Sequence, residues 1–324
     1  MSRSVIPLTS SRLEVERCHL TPTRASRRRR QAEGEPTSMD AERRNADEQT
    51  ARWNGRAGHA WVDLQHVLDE MFRPIEGLLV DAVSAEGAEH VLDVGCGTGG
   101  TTLAVARRLG PAGHCVGVDI SGPLTDTARA RAEREGVPAS FVRADAQEHT
   151  FEPGTFDTVI SRFGVMFFDD PVRAFGNLRS AVRDGAGLRV IVWRDPAENP
   201  FMTTAQRAAA PLLPNLPVRR PDEPGQFAFA DPDKVRRILA ESGWADIDIQ
   251  PIDVVCALPE KELVRYFTRL GPLGMALPEV DEETRVRVVE TVRAAFDLFV
   301  QGSEVRFTAA CWTVGARASA AKLS

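Results

Sequence analysis

The chain has 324 residues, long enough to bury one large core, with 46 acidic against 40 basic side chains and a net charge of −6. Residues 1–38 hold eight Arg against four Glu, which leaves the remainder near −10 and argues against a broad basic face for nucleic acid. Five cysteines without a C-x-x-C pair, six scattered His and no apolar run of about 18 residues point away from a disulfide scaffold, a metal centre and a membrane span, and toward a cytoplasmic protein.

Residues 1–38 are polar and without periodicity, so a disordered tail is expected there, and Arg27 to Arg30 are too few to read as more than a solvated stretch. Met39 opens a more helix-compatible stretch and is a candidate start of translation. Residues 40–84 read as two or three helices, with Trp53-Asn54-Gly55-Arg56-Ala57-Gly58-His59-Ala60-Trp61 between or within them. Two Trp eight residues apart around two glycines serve either as core anchors or as a cover over a site.

From 88 to 193 the pattern alternates strand and helix: 90–94, 101–110, 114–118, 123–135, 139–143, 156–161, 171–183 and 187–193. Such alternation predicts a parallel sheet covered on both faces. The first strand runs into Val91-Leu92-Asp93-Val94-Gly95-Cys96-Gly97-Thr98-Gly99-Gly100, and Thr101 to Leu109 then has a helical pattern. Strand, glycine turn and helix make a nucleotide-cofactor site, because glycines let backbone approach a ligand and the helix N-terminus offers unpaired N–H groups. Gly95, Gly97 and Gly100 also satisfy the dinucleotide pattern G-x-G-x-x-G, so an NAD-dependent oxidoreductase is one reading. Asp93 argues against it: a buried carboxylate beside the turn repels a pyrophosphate and attracts a ligand carrying an ammonium and a sulfonium.

With Asp93-x-Gly95-x-Gly97-x-Gly99 in place, the segment resembles motif I of the class I S-adenosylmethionine-dependent methyltransferases, and three later segments match that family in order. Asp119-Ile120-Ser121 closes the second strand, where the carboxylate is placed to accept both ribose hydroxyls. Asp145-Ala146 follows the third strand, which the resemblance places by the adenine amino group; a helix N-cap is the alternative for Asp145. Phe156-Asp157-Thr158-Val159-Ile160-Ser161-Arg162-Phe163-Gly164 matches strand four, whose carboxyl end faces the transferred methyl group in the family. Cys96 stands where the family often uses Cys for its size. The resemblance makes Asp93, Gly95, Cys96, Gly97, Gly99, Asp119, Ile120, Asp145, Ala146, Ser161 and Arg162 the expected cofactor residues, with Trp53 and Trp61 as an aromatic lid.

Beyond strand five, residues 194–229 hold seven prolines with little periodicity, too long a stretch for an idle connector. A helix at 232–242, a strand at 247–256, helical stretches near 260–270 and 281–301 and an alternating strand at 305–316 complete the chain. The fold class expected is α/β, a Rossmann-like seven-stranded methyltransferase sheet whose last strand is antiparallel, with an N-terminal helical lid at 39–86 and a C-terminal helical insertion. The methyltransferase domain is expected to span 87–324, with insertions at about 194–229 and 259–301.

The resemblance is nearest to bacterial small-metabolite methyltransferases, the ubiquinone and menaquinone methylase group, through Ser161-Arg162-Phe163-Gly164-Val165-Met166-Phe167-Phe168-Asp169-Asp170-Pro171. It implies S-adenosylmethionine as cofactor, no metal, and a small-molecule methyl acceptor whose identity the sequence does not specify; a catalytically silent S-adenosylmethionine-binding regulator is the alternative. His59, His149 and Asp169 are candidate general bases by chemistry, and Phe163, Met166, Phe167 and Trp193 are candidate linings of an acceptor pocket.

Overall fold

In the computed structural model, which describes residues 49–217 and 223–319, the alternating segments assemble into one sheet of order β3-β2-β1-β4-β5-β8-β6. The tail expected at 1–38 and Met39 lie outside the described residues. The first five strands are β1 (His90–Val94), β2 (His114–Asp119), β3 (Ala139–Arg143), β4 (Phe156–Arg162) and β5 (Val182–Trp193), all mutually parallel. The last long strand, β8 (Glu304–Ala318), runs antiparallel between β5 and β6 (Trp244–Pro259), as the sequence predicts. A two-residue strand, β7 (Val300–Gln301), pairs with β8 and was not expected.

Helix boundaries follow local chemistry. Helices α1 (Arg56–Asp63) and α2 (Gln65–Glu86) follow a helical run at 49–54, and α2 stops at Gly87 in the left-handed conformation. Helix α3 (Gly100–Leu109) leaves the glycine turn; α4 (Gly122–Glu135) has Ser121 as N-cap and Pro123 in its first turn. Asp170 caps α5 (Pro171–Ala181) by accepting the Arg173 amide at 2.9 Å. Strand β5 begins at 182 rather than 187, because the Asp184-Gly185 break is absorbed as an irregularity in its pairing with β4.

Helix α2 packs into the core: its Val67, Leu68, Met71, Phe72, Ile75, Leu79 and Val83 are all buried. The proline-rich 194–229 stretch contains a helix the periodicity did not show, α6 (Pro200–Ala209). After α7 (Pro232–Glu241) and β6, the second insertion holds α8 (Leu263–Arg269), α9 (Gly271–Ala276) and α10 (Glu282–Ala295). The two insertions form one aromatic roof: Phe201 of α6 stacks on Phe307 of β8 at 3.9 Å between centroids and meets Phe296 edge-on at 5.2 Å, while Phe267 stacks on Phe296 at 5.7 Å. Among the described residues no helix is long and apolar enough to cross a membrane.

Candidate active site

The glycine turn is held from three sides. The amides of Gly95 and Cys96 both donate to the Val118 carbonyl, at 2.8 and 3.1 Å, which ties the end of β1 to β2. From β4, the Ser161 hydroxyl donates to the Val94 carbonyl at 2.7 Å and accepts the Gly164 amide at 3.1 Å. Below the turn the Thr102 hydroxyl donates to Asp93 Oδ2 at 2.6 Å. Asp93 is almost completely buried, and that burial pushes its carboxyl up to about 6 against the opposing pull of the Thr102 bond and the Arg162 charge.

Asp119 accepts the Gly97 amide at 2.9 Å through one carboxylate oxygen and the Ser121 amide at 2.9 Å through the other. Desolvation raises its pKa while these backbone donors oppose the rise. Gly97 sits at φ +55°, and the position of its missing Cβ faces open space. An acidic strand end with spare lone pairs beside open backbone fits a ribose and its neighbouring groups.

The N-terminal segment docks on this same loop. Asn54 Oδ1 accepts the Gly122 amide at 2.8 Å and Arg143 Nη2 at 3.1 Å, while its amide nitrogen donates to the Ile120 carbonyl at 3.2 Å. The Ser121 hydroxyl donates to the Trp53 carbonyl at 2.6 Å. Trp53 meets Trp61 and Phe167 edge-on, at 6.0 and 5.4 Å. Asn54 was not singled out from sequence, and nothing in its local pattern marks its docking role, since its partners on the sheet side, Ile120, Gly122 and Arg143, lie 66 to 89 residues away.

A cavity of about 690 Å³ opens over the carboxyl ends of the parallel strands, within the size range of small-molecule sites. Of the expected cofactor and lid residues, Gly95, Asp119, Ile120, Asp145, Ala146, Arg162, Trp53 and Trp61 line it. Asp93, Cys96, Gly97, Gly99 and Ser161 do not: the first four shape the turn, and Ser161 is fully buried with its hydroxyl engaged at both ends. Arg162 lies with its guanidinium 5.7 Å from the Phe72 ring centre, and its Nη1 is 4.0 Å from Glu76 and makes no hydrogen bond within the described residues.

Part of the cavity wall is aromatic. Phe163, Met166, Phe167 and Trp193 all line it, with Phe163 stacked on Trp193 at 4.6 Å and Phe72 closing the cluster edge-on. Phe163 holds φ +67°, a strained conformation for a bulky side chain that costs on the order of 1–3 kcal/mol and turns the chain so that Gly164 reaches Gly95. Of the three candidate bases only Asp169 lines the cavity; His59 is exposed with Nδ1 2.9 Å from the Gly55 carbonyl, and His149 packs edge-on against Phe151. Phe72, Phe201 and Tyr266 are lining residues that local sequence reading did not single out.

Comparison with known proteins agrees with this geometry. Residues 91–185, from β1 through the start of β5, match the family described as "Methyltransferase domain". That stretch is a methyltransferase domain. S-adenosylmethionine is the cofactor that such a domain takes, and the Asp119 carboxylate, which lines the cavity and keeps lone pairs beyond those bound by the Gly97 and Ser121 amides, fits its ribose.

Among curated relatives, the chain is 36% identical over 102 residues to nocamycin O-methyltransferase of Saccharothrix syringae, covering 31% of this chain and 36% of that protein. It is 28% identical over 174 residues to demethylmenaquinone methyltransferase of Thermus thermophilus, covering 51% of this chain and 79% of that one. The matches span 36% and 53% of the length of the first curated relatives. Among solved structures, the YcgJ protein from Bacillus subtilis superposes with a TM-score of 0.50 at 17% identity, over 76% of this chain and 98% of that one, a likeness of fold.

Proposed function

We propose that this chain transfers a methyl group from S-adenosylmethionine to a small, largely apolar metabolite. The observation that carries this reading is that one cavity joins the Asp119 end of the glycine turn to the stacked Phe163–Trp193 wall. The cofactor's sulfonium supplies the methyl group and the driving force for an in-line displacement. What the chain contributes is alignment and exclusion of water, and near-attack placement accounts for about 7–11 kcal/mol in well-oriented reactions. In this reading Asp119 holds the ribose, Asp145 and Ala146 lie by the adenine, and Asp93 and Arg162 set the charge around the methionine end. Trp53 and Trp61 cover the cofactor from the lid segment, and the roof of α6 and α8–α10 selects the acceptor. The names of the two relatives, an O-methyltransferase and a demethylmenaquinone methyltransferase, support a small-molecule acceptor.

Calorimetric titration of the full chain with S-adenosylmethionine and, separately, with NAD tests the cofactor. Release of S-adenosylhomocysteine in the presence of phenols, quinones and other bacterial metabolites tests the reaction. Binding of S-adenosylmethionine and not NAD, with turnover of at least one acceptor, is expected. Heat from NAD alone would refute the proposal, and tight S-adenosylmethionine binding with no turnover of any acceptor would point to the regulator instead.

A further inference from the structure

The chain contains fifteen Phe and one Tyr, so almost every ring position in it is filled without a hydroxyl. The single exception, Tyr266 of α8, lines the cavity, where no other lining side chain among the described residues carries a hydroxyl. Its ring lies against Phe201 at 5.7 Å, a contact that a Phe would make as well. The hydrogen-bond partner of its oxygen is the Met202 sulfur at 3.6 Å, and a thioether is a weak acceptor. A hydroxyl placed in apolar surroundings with so weak a partner is unfavourable, and nothing in the packing requires it. Burial also holds the phenol above its ordinary pKa, so it remains a donor at neutral pH.

We infer that Tyr266 is the recognition point for the acceptor, donating a hydrogen bond to an oxygen atom on a molecule that is otherwise apolar and ring-bearing. A ring is suited to the aromatic side chains that share this cavity, the stacked Phe163–Trp193 pair and Phe72. Tyr266 is a positioning and specificity residue here: it fixes the acceptor relative to the methyl donor and takes no part in bond making. This inference rests on the methyl-transfer reading above and names the chemistry of the acceptor.

The test compares naphthol with methylnaphthalene, which share a ring system and differ in replacing a hydroxyl by a methyl group. Binding to the full chain, with and without S-adenosylhomocysteine, is followed by quenching of tryptophan emission. Wild type is expected to bind naphthol about tenfold more tightly than methylnaphthalene, the effect of one buried hydrogen bond. Tyr266→Phe should bind the two alike, with unchanged melting temperature and unchanged S-adenosylhomocysteine affinity. Met202→Leu, which removes only the sulfur, should keep the naphthol preference. Equal binding by wild type, no binding of either probe, or a preference that survives in Tyr266→Phe would overturn the inference. Failure of S-adenosylhomocysteine to bind would count against the methyl-transfer reading instead, and the probe comparison without it still decides the role of Tyr266.

Discussion

Gly95 and Gly164 meet backbone to backbone: a Cβ on Gly95 would lie 2.6 Å from the Gly164 Cα, and one on Gly164 would lie 2.7 Å from the Gly95 Cα. The close approach that a glycine at position 95 permits is therefore to the turn after β4, not to a ligand. Gly97, two residues on, is the glycine whose missing side chain faces open space.

These two glycines should separate in experiment. Gly95→Ala should lower stability by about 2–4 kcal/mol, combining overpacking with a left-handed backbone. Gly97→Ala should cost only about 1 kcal/mol of stability, from its positive φ alone. Thermal denaturation of both variants checks this; equal loss of stability in the two would refute the distinction.

Asp119→Ala should reduce S-adenosylmethionine affinity by roughly 2–5 kcal/mol if two charge-assisted ribose bonds are lost. Because Asp119 also accepts the Gly97 and Ser121 amides, the variant should lose some stability as well. Titration on folded protein is the measurement, and unchanged affinity would remove Asp119 from the site.

Asn54→Ala should loosen residues 49–61 from the loop after β2 without disturbing the sheet. It removes the acceptor for Gly122 and Arg143 and the donor to Ile120, so cofactor affinity should fall about tenfold, near the value of one or two hydrogen bonds. Hydrogen exchange should quicken in residues 49–61 and remain unchanged in β1, β4 and β5. A uniform rise across the sheet would show that Asn54 supports the fold rather than the cover.

Asp93 should make the ligand-free fold less stable as pH rises from about 4 to about 6. Its carboxyl ionises near 3.8 in water-exposed chain and at about 6 in the fold, so in that window the native state holds the extra proton and ionising it costs on the order of 2–3 kcal/mol. Asp93→Asn cannot ionise, so its stability relative to wild type should improve by about that amount across the window. Denaturant titrations at several pH values give the difference, and a flat or falling difference would mean that Asp93 is charged in the fold throughout.

How much of this could be read without coordinates differs by element. The strand at Val91–Val94, the glycine turn and the helix after it were legible because buried parallel strands, positive-φ turns and helix starts each have local sequence chemistry. The antiparallel last strand was legible from its alternation together with the resemblance. Helix α6 was not, because Pro200 opens it inside a proline-rich stretch and its apolar side is answered by Phe296, Phe299 and Phe307, about 95 to 106 residues away. His59 and His149 were chemically eligible as bases, and only their position in the fold takes them out of the cavity.

What the sequence determined by itself was the order of the elements, the shape of the glycine turn and the residue types around it, since these depend on periodicity and on backbone conformations set within a few residues. Only the tertiary structure decided which side chains share the cavity. Trp53 comes before the sheet, Arg162 ends β4 and Tyr266 lies in the insertion after β6, and no local rule places them together. They meet because hydrophobic burial drives α2 and the aromatic roof onto the same sheet, and that force is non-directional and carries no signature in the spacing of the residues it unites.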